Sequence, residues 1–235
     1  VRLPHSPHAE INAFSMNTRL ILDFIQQLQL NNHKAWMDSH QALYHAARKE
    51  LIAIADFLIK NTATFDLTIA NLQPKDIIFR INRDIRFSKD KQPYKSYMGL
   101  FLAQGGKKSD YAGYYLHLSP GNQSFIAGGL FEPTSATLHK VRQEIDYHGK
   151  ELAQILTSPQ LQQLFGNLQG EKLQRPPKGY TADNPHIEWL KYKSLIVMHP
   201  LQDHQITQPN FLNKVVLAFQ TIQPLNQFFN RALDD

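Results

Sequence analysis

Hydrophobic positions change their period twice along the chain, and those changes divide it into three regions. In residues 17–62 apolar side chains recur at helical spacing: Leu20, Ile21, Phe24, Ile25 and Leu28 form one stripe, with a cap candidate at Asn17 or Thr18. The stretch Asn31-Asn32-His33 breaks that helix and can cap another beginning near Trp36, and Leu43, Ala47, Leu51, Ile54 and Leu58 mark a longer one. These stripes read as core-facing. From about residue 76 to 131 the period becomes two, and four strands fit, at 77–87, 96–103, 111–119 and 124–131. The intervening SKDKQPYK, QGGKKSD and SPGNQ have turn composition, and such short connections predict an antiparallel meander. Beyond Pro133 the helical period returns with Leu138, Val141, Ile145, Leu152 and Ile155. A Pro-rich connector and a short helix around Ile187–Leu190 follow, and SLIVM can add a strand. Two amphipathic helices, split at Pro224, close the chain.

This pattern predicts an α+β fold: a four-stranded antiparallel meander over about 77–131, packed against N- and C-terminal helices. We expect a single domain over residues 14–235, preceded by a poorly ordered extension at 1–13. The sequence shows no internal repeat. An apolar fraction of 42% and a charged fraction of 19% describe a chain able to bury a core. There is no cysteine, which excludes disulfides, thiolate metal sites and cysteine nucleophiles. The longest apolar run, LIAIADFLI, is too short to span a bilayer and carries Asp56, so the expectation is a soluble, cytoplasmic protein with no membrane partner.

The net charge of +5 is unevenly placed. Residues 75–95 hold seven Lys/Arg against three Asp, and residues 172–193 hold five against Asp183 and Glu188. The remainder of the chain is slightly acidic, so the basicity points to a local anionic partner.

The segment FRINRDIRFSKDKQPYK, Phe79–Lys95, concentrates the question. Alternation puts Arg80, Asn82, Asp84 and Arg86 on one face and leaves Arg83 among Phe79, Ile81, Ile85 and Phe87. A guanidinium buried without a partner is costly, so Arg83 either pairs with a carboxylate or forms the floor of an anion site. The following turn adds Ser88, Lys89, Asp90, Lys91, Tyr94 and Lys95. Gly128-Gly129 inside a strand pattern signals a bulge or a close approach of backbone or ligand. The candidate ligand-binding set is therefore Arg80, Arg83, Asp84, Arg86, Asp90, Lys91, Tyr94, Lys95, Gly128 and Gly129, with the Arg175–Lys178 connector as a further contributor. If the site is catalytic, Asp84 or Asp90 would serve as base and Lys91 or Lys95 as proton donor or charge stabiliser.

Taken with GYYLHLSP, GGLFEP, RPPKGY and KYKSL, this segment resembles a microbial family of conserved hypothetical proteins, domain of unknown function 2461. The resemblance runs from about Phe14 to near Phe229, and its most specific piece is R-D-x-R-F-S-K-D-K-x-P-Y-K at Arg83–Lys95. It implies that Arg80, Arg83, Asp84, Arg86, Asp90, Lys91, Pro93, Tyr94 and Lys95 occupy signature positions. NNHKAWM is similar to the family's N-N-x-x-W-F, with Met37 in place of the usual aromatic. The resemblance implies a fold and no mechanism.

The leading expectation is a protein that binds a small phosphate- or carboxylate-bearing ligand. The alternatives are a nucleic-acid-binding protein, using the interleaved aromatic and basic residues of 79–97 and 172–193, and a non-catalytic scaffold or interaction protein. No Walker loop or G-x-G-x-x-G is present. Ser88-Lys89-Asp90-Lys91 is formally S-x-x-K, but Ser88 follows a predicted strand instead of opening a helix, and no K-T-G follows. The eleven histidines show no metal-ligand spacing, and His117 reads as a packed strand residue. The sequence names no cofactor and sets no oligomeric state.

Overall fold

The computed structural model describes residues 16–234, so the extension expected at 1–13 lies outside the described residues. Helices α1 (Thr18–Leu30), α2 (Lys34–Ser39), α3 (Gln41–Thr62) and α4 (Pro74–Ile77) come first. Strands β1 (Met98–Leu102), β2 (Gly113–Leu118) and β3 (Ser124–Leu130) follow, then helices α5 (Ser135–Leu156), α6 (Pro159–Leu164) and α7 (Ile187–Leu190). Strand β4 (Leu195–Leu201) and helices α8 (Asp203–Ile206) and α9 (Phe211–Arg231) complete the chain. The fold is α+β, with a four-stranded antiparallel sheet in the order β1-β2-β3-β4.

Local chemistry explains the helix boundaries. The Asn17 side chain accepts from the Leu20 N–H at the start of α1, and His33 does the same for Trp36 in α2. Thr134 caps α5 through the Thr137 N–H. The expected break at Pro224 does not occur: α9 runs through it as one helix. Pro224 and Gln220, whose carbonyl loses its partner, both lie on the exposed face, where water can satisfy that carbonyl. Phe219, Ile222, Leu225, Phe228 and Phe229 meanwhile bury the other face on both sides of the proline.

The first expected strand, 77–87, is not a strand. The segment leaves α4, and its β-pairing with its neighbours is limited to isolated bridges, Ile78 with Leu100 and Asn82 with Tyr94. Its inside-outside alternation is real as far as Arg86, but Phe87 is 94% exposed. Side chains here compete with a ladder: Asp84 accepts from the Arg86 N–H and Asp90 from the Gln92 N–H, and Pro93 has no N–H to offer. The fourth strand is instead β4, which takes in the Leu195–Met198 part of SLIVM.

The sheet has two unlike faces. Leu100, Leu102, Tyr114, Leu116, Ile126, Leu130, Leu195 and Val197 point to one side, each at most 2% exposed, and belong to the cluster that includes α1, α3, α5 and α9. The other side carries Phe101, Tyr115, His117, Phe125, Ile196 and Met198, all half-buried. Gly128 sits on the helix side, where an added Cβ would lie 2.4 Å from Ile222 Cγ2. Gly129 has φ +110°, and a Cβ there would meet the Leu195 carbonyl at 2.2 Å. The β3–β4 register passes through both without an extra residue, so the pair marks close approach by α9 and β4 and not a bulge. Among the described residues, no helix is long and apolar enough to cross a membrane.

A methyl group at Gly128 has no room beside a fully buried isoleucine. Gly128→Ala should therefore lower stability by about 1–3 kcal/mol in urea unfolding. Combined with Ile222→Ala, the two losses should sum to less than their separate values, because the second change vacates the space the first requires.

Candidate functional site

Two adjoining depressions meet at the β1 edge of the sheet. The first, a cleft of about 680 Å³, is walled on one side by Tyr44, Arg48 and Leu51, which share a face of α3 by their i, i+4, i+7 spacing. Lys75 on α4, Arg80, Lys95, Lys107 and Lys108 supply the other charges. The 103–109 turn is drawn to α4 by the Lys107 N–H, which donates to the Asp76 carbonyl at 2.9 Å, and by the Lys107 ammonium on the Lys75 carbonyl. Asp76 itself is turned away to accept from the Gln73 N–H at 2.9 Å. The result is six cationic side chains and no carboxylate lining one cleft. Among the described residues, none of the six forms a salt bridge.

Lys95 is the most constrained of them. Its ammonium lies 5.2 Å from the Phe79 ring centroid and 5.7 Å from that of Tyr97. Burial, and then the nearby Arg80 charge, push its pKa below the usual lysine value.

The second depression, a groove of about 570 Å³, lies over the half-buried sheet face and shares Phe79, Lys95, Tyr97 and Lys107 with the cleft. Across it the Tyr97, His117 and Phe125 rings, from just before β1, from β2 and from β3, form a row, with centroid separations of 4.3 and 4.5 Å. The Tyr115 hydroxyl is 3.0 Å from His117 Nδ1. Burial lowers the His117 pKa to about 4 and raises that of Tyr115, so this hydrogen bond joins a neutral phenol to a neutral imidazole, its direction set by the imidazole tautomer. His117 is packed, as expected of a strand residue, but it also lines a groove.

Of the sequence-selected residues, the structure brings Arg80 and Lys95 together in the cleft. Arg83 is paired instead: Nη1 lies 2.5 Å from Asp90 and 3.1 Å from the Gln92 carbonyl, and the side chain is 26% exposed. Arg86 holds Asp84 with two hydrogen bonds, of 3.0 and 2.6 Å, and projects into solvent. Lys91 donates to the Ile85 carbonyl. Tyr94 is buried, its backbone clamped by the Asn32 amide. Gly128 and Gly129 border the groove. The Arg86 side chain holds the Asp84 carboxyl below its usual pKa, and the Gln92 N–H followed by Arg83 does the same for Asp90. That makes each a weak base, so proton abstraction suits neither.

Three of the five cations in the second basic segment are paired with nearby glutamates. Lys172 and Lys191 both reach Glu188 at 3.0 Å, and Lys193 reaches Glu171 at 2.6 Å. None of residues 172–193, the Arg175–Lys178 connector included, lines the cleft or the groove.

The family model described as "Conserved hypothetical protein (DUF2461)" matches residues 20–228. The chain belongs to this family. Among curated proteins and solved structures, none matches the chain. The residues that the resemblance places at signature positions divide by role. Arg83, Asp84, Arg86 and Asp90 knit the 79–95 segment to itself, and Arg80 and Lys95 turn to the cleft. Sequence reading missed Arg48, Lys75, Lys107 and Lys108 as site residues. Tandem lysines in a glycine turn were a visible signal, but Arg48 was hidden on a helix face read as core.

The depressed His117 pKa has a definite consequence for stability. Between the unfolded value near 6.5 and the folded value near 4, the unfolded chain binds a proton that the folded one refuses. Stability should therefore be full above about pH 6.5 and fall as pH drops toward 4. His117→Gln should flatten that part of the profile in chemical denaturation, and NMR should show the imidazole neutral at pH 5.

Proposed function

We propose that this DUF2461 protein binds a small anionic ligand, bearing phosphate or carboxylate, in the cleft between α3, α4 and the β1 edge. One observation carries the reading: six cations line the cleft with no acidic residue among them. Like charges gathered without counter-ions repel one another, and a bound anion would relieve that repulsion. Arg48 and Arg80 can each present two parallel N–H groups to an oxyanion, whereas Lys75, Lys95, Lys107 and Lys108 act as point charges. The site is thus displaced from the 83–91 turn toward α3 and α4, where charge is unspent.

Calorimetry with inorganic phosphate, and with a simple carboxylate for comparison, tests this directly. Charge-assisted hydrogen bonds contribute about 1.5–3 kcal/mol, so Arg80→Ala and Lys95→Ala should each weaken binding by roughly ten- to a hundredfold. Arg86→Ala, which removes a surface pair outside the cleft, should leave affinity within about twofold, as for most exposed ion pairs. Phosphate binding that ignores the cleft substitutions, or no anion binding at all, would overturn the proposal.

A further inference from the structure

The groove and the cleft form one continuous surface, and their chemistry is unlike. All six cations belong to the cleft, two of them (Lys95 and Lys107) at its border with the groove. The groove floor and walls are aromatic and aliphatic: Phe101, Tyr115, Phe125, Ala127, Ile196 and Met198. Its own carboxylates, Asp110 and Glu132, do not line the cleft. Phe131, beside Glu132 on the groove rim, is 65% exposed.

This division of charge assigns an orientation to the ligand. An oxyanion is repelled by Asp110 and Glu132 and drawn to the cleft. A flat apolar group gains from the rings of the sheet face, and N–H donors on that group would find the two carboxylates and the hydroxyls of Ser109, Tyr111 and Tyr115. Resting on the anion-binding reading above, we infer that the ligand is a phosphate ester of a flat heteroaromatic group, of the nucleoside monophosphate kind, with its phosphate in the cleft and its ring over the sheet. Lys95, seated between the Phe79 and Tyr97 rings, marks the junction. Each depression has the size of a small-molecule site. The concentration of charge in one cleft, with Lys172, Lys191 and Lys193 already paired, favours a compact ligand over a long polyanion.

The test compares inorganic phosphate, glycerol 3-phosphate and the four 5′-ribonucleoside monophosphates by calorimetry on the full chain. At least one nucleotide should bind ten times or more tightly than glycerol 3-phosphate, in line with the contribution of a stacked ring. Phe125→Ala and Ile196→Ala, each checked for folding by circular dichroism, should abolish that preference while leaving glycerol 3-phosphate affinity unchanged. Lys95→Ala should weaken every ligand. Equal affinity for glycerol 3-phosphate and all nucleotides would overturn the groove assignment and leave the anion cleft standing. Absence of binding by every probe would overturn both. A ten-residue single-stranded oligonucleotide that binds far more tightly than any mononucleotide, with affinity falling steeply as salt rises, would replace the small ligand with a nucleic-acid strand.

Discussion

The close seating of α9 on the sheet at Gly128 is the contact from which the rest of the architecture follows. Because no side chain stands between the β3 backbone and Ile222, the helix comes down onto β2 and β3, and Tyr114, Leu116, Ile126 and Val197 become fully enclosed. A large apolar side chain gains about 1.5–3 kcal/mol on burial, so that face is strongly committed to the core. A strand alternates its side chains, and commitment of one face releases the other. Phe101, Tyr115, His117, Phe125 and Met198 are therefore held on a rigid sheet without helical cover, and the groove is a consequence of the packing beneath it.

Electrostatics then separates two kinds of arginine within a few residues of each other. Arg83 and Arg86 are consumed by Asp90 and Asp84, and their exposed or half-exposed pairs contribute little net stability. Their role is geometric: with the Asp84 and Asp90 contacts to backbone N–H groups, they hold a non-strand segment in one course beside β1. That course delivers Arg80 and Lys95 to the cleft. The signature segment is thus a brace with two projecting charges.

The fold class was legible because it rests on periodicity, and the stripes of α1, α3, α5 and α9 lie where the apolar residues recur. Three strands were legible for the same reason. The 77–87 segment misled because its alternation reflects inside and outside, which any extended chain beside a core will show. Strand status requires backbone partners, and those depend on Asp84, Asp90 and Pro93 acting locally. The candidate site was legible only at its centre. Charge counted along the sequence gave equal standing to Arg80 and Arg86, and it could not show that Lys172, Lys191 and Lys193 are paired in the fold. Pairing is a three-dimensional property. Arg48, from a helix more than thirty residues upstream of Arg80, could be joined to the cleft only by the packing of α3.

The gathering of six unpaired cations in one cleft without a carboxylate, more than total charge, therefore distinguishes this surface. Some cations elsewhere are paired: Arg231 alone meets Glu144 and Glu151, and Glu188 serves two lysines. A fold able to place carboxylates so closely against its basic residues could have placed one among the six at the cleft. Instead Asp76, the nearest acid in sequence to Lys75, is turned to cap its own helix, and its carbonyl receives the lysine-bearing turn. Mutual repulsion among like charges is a cost that an anion bound in the proposed site would remove.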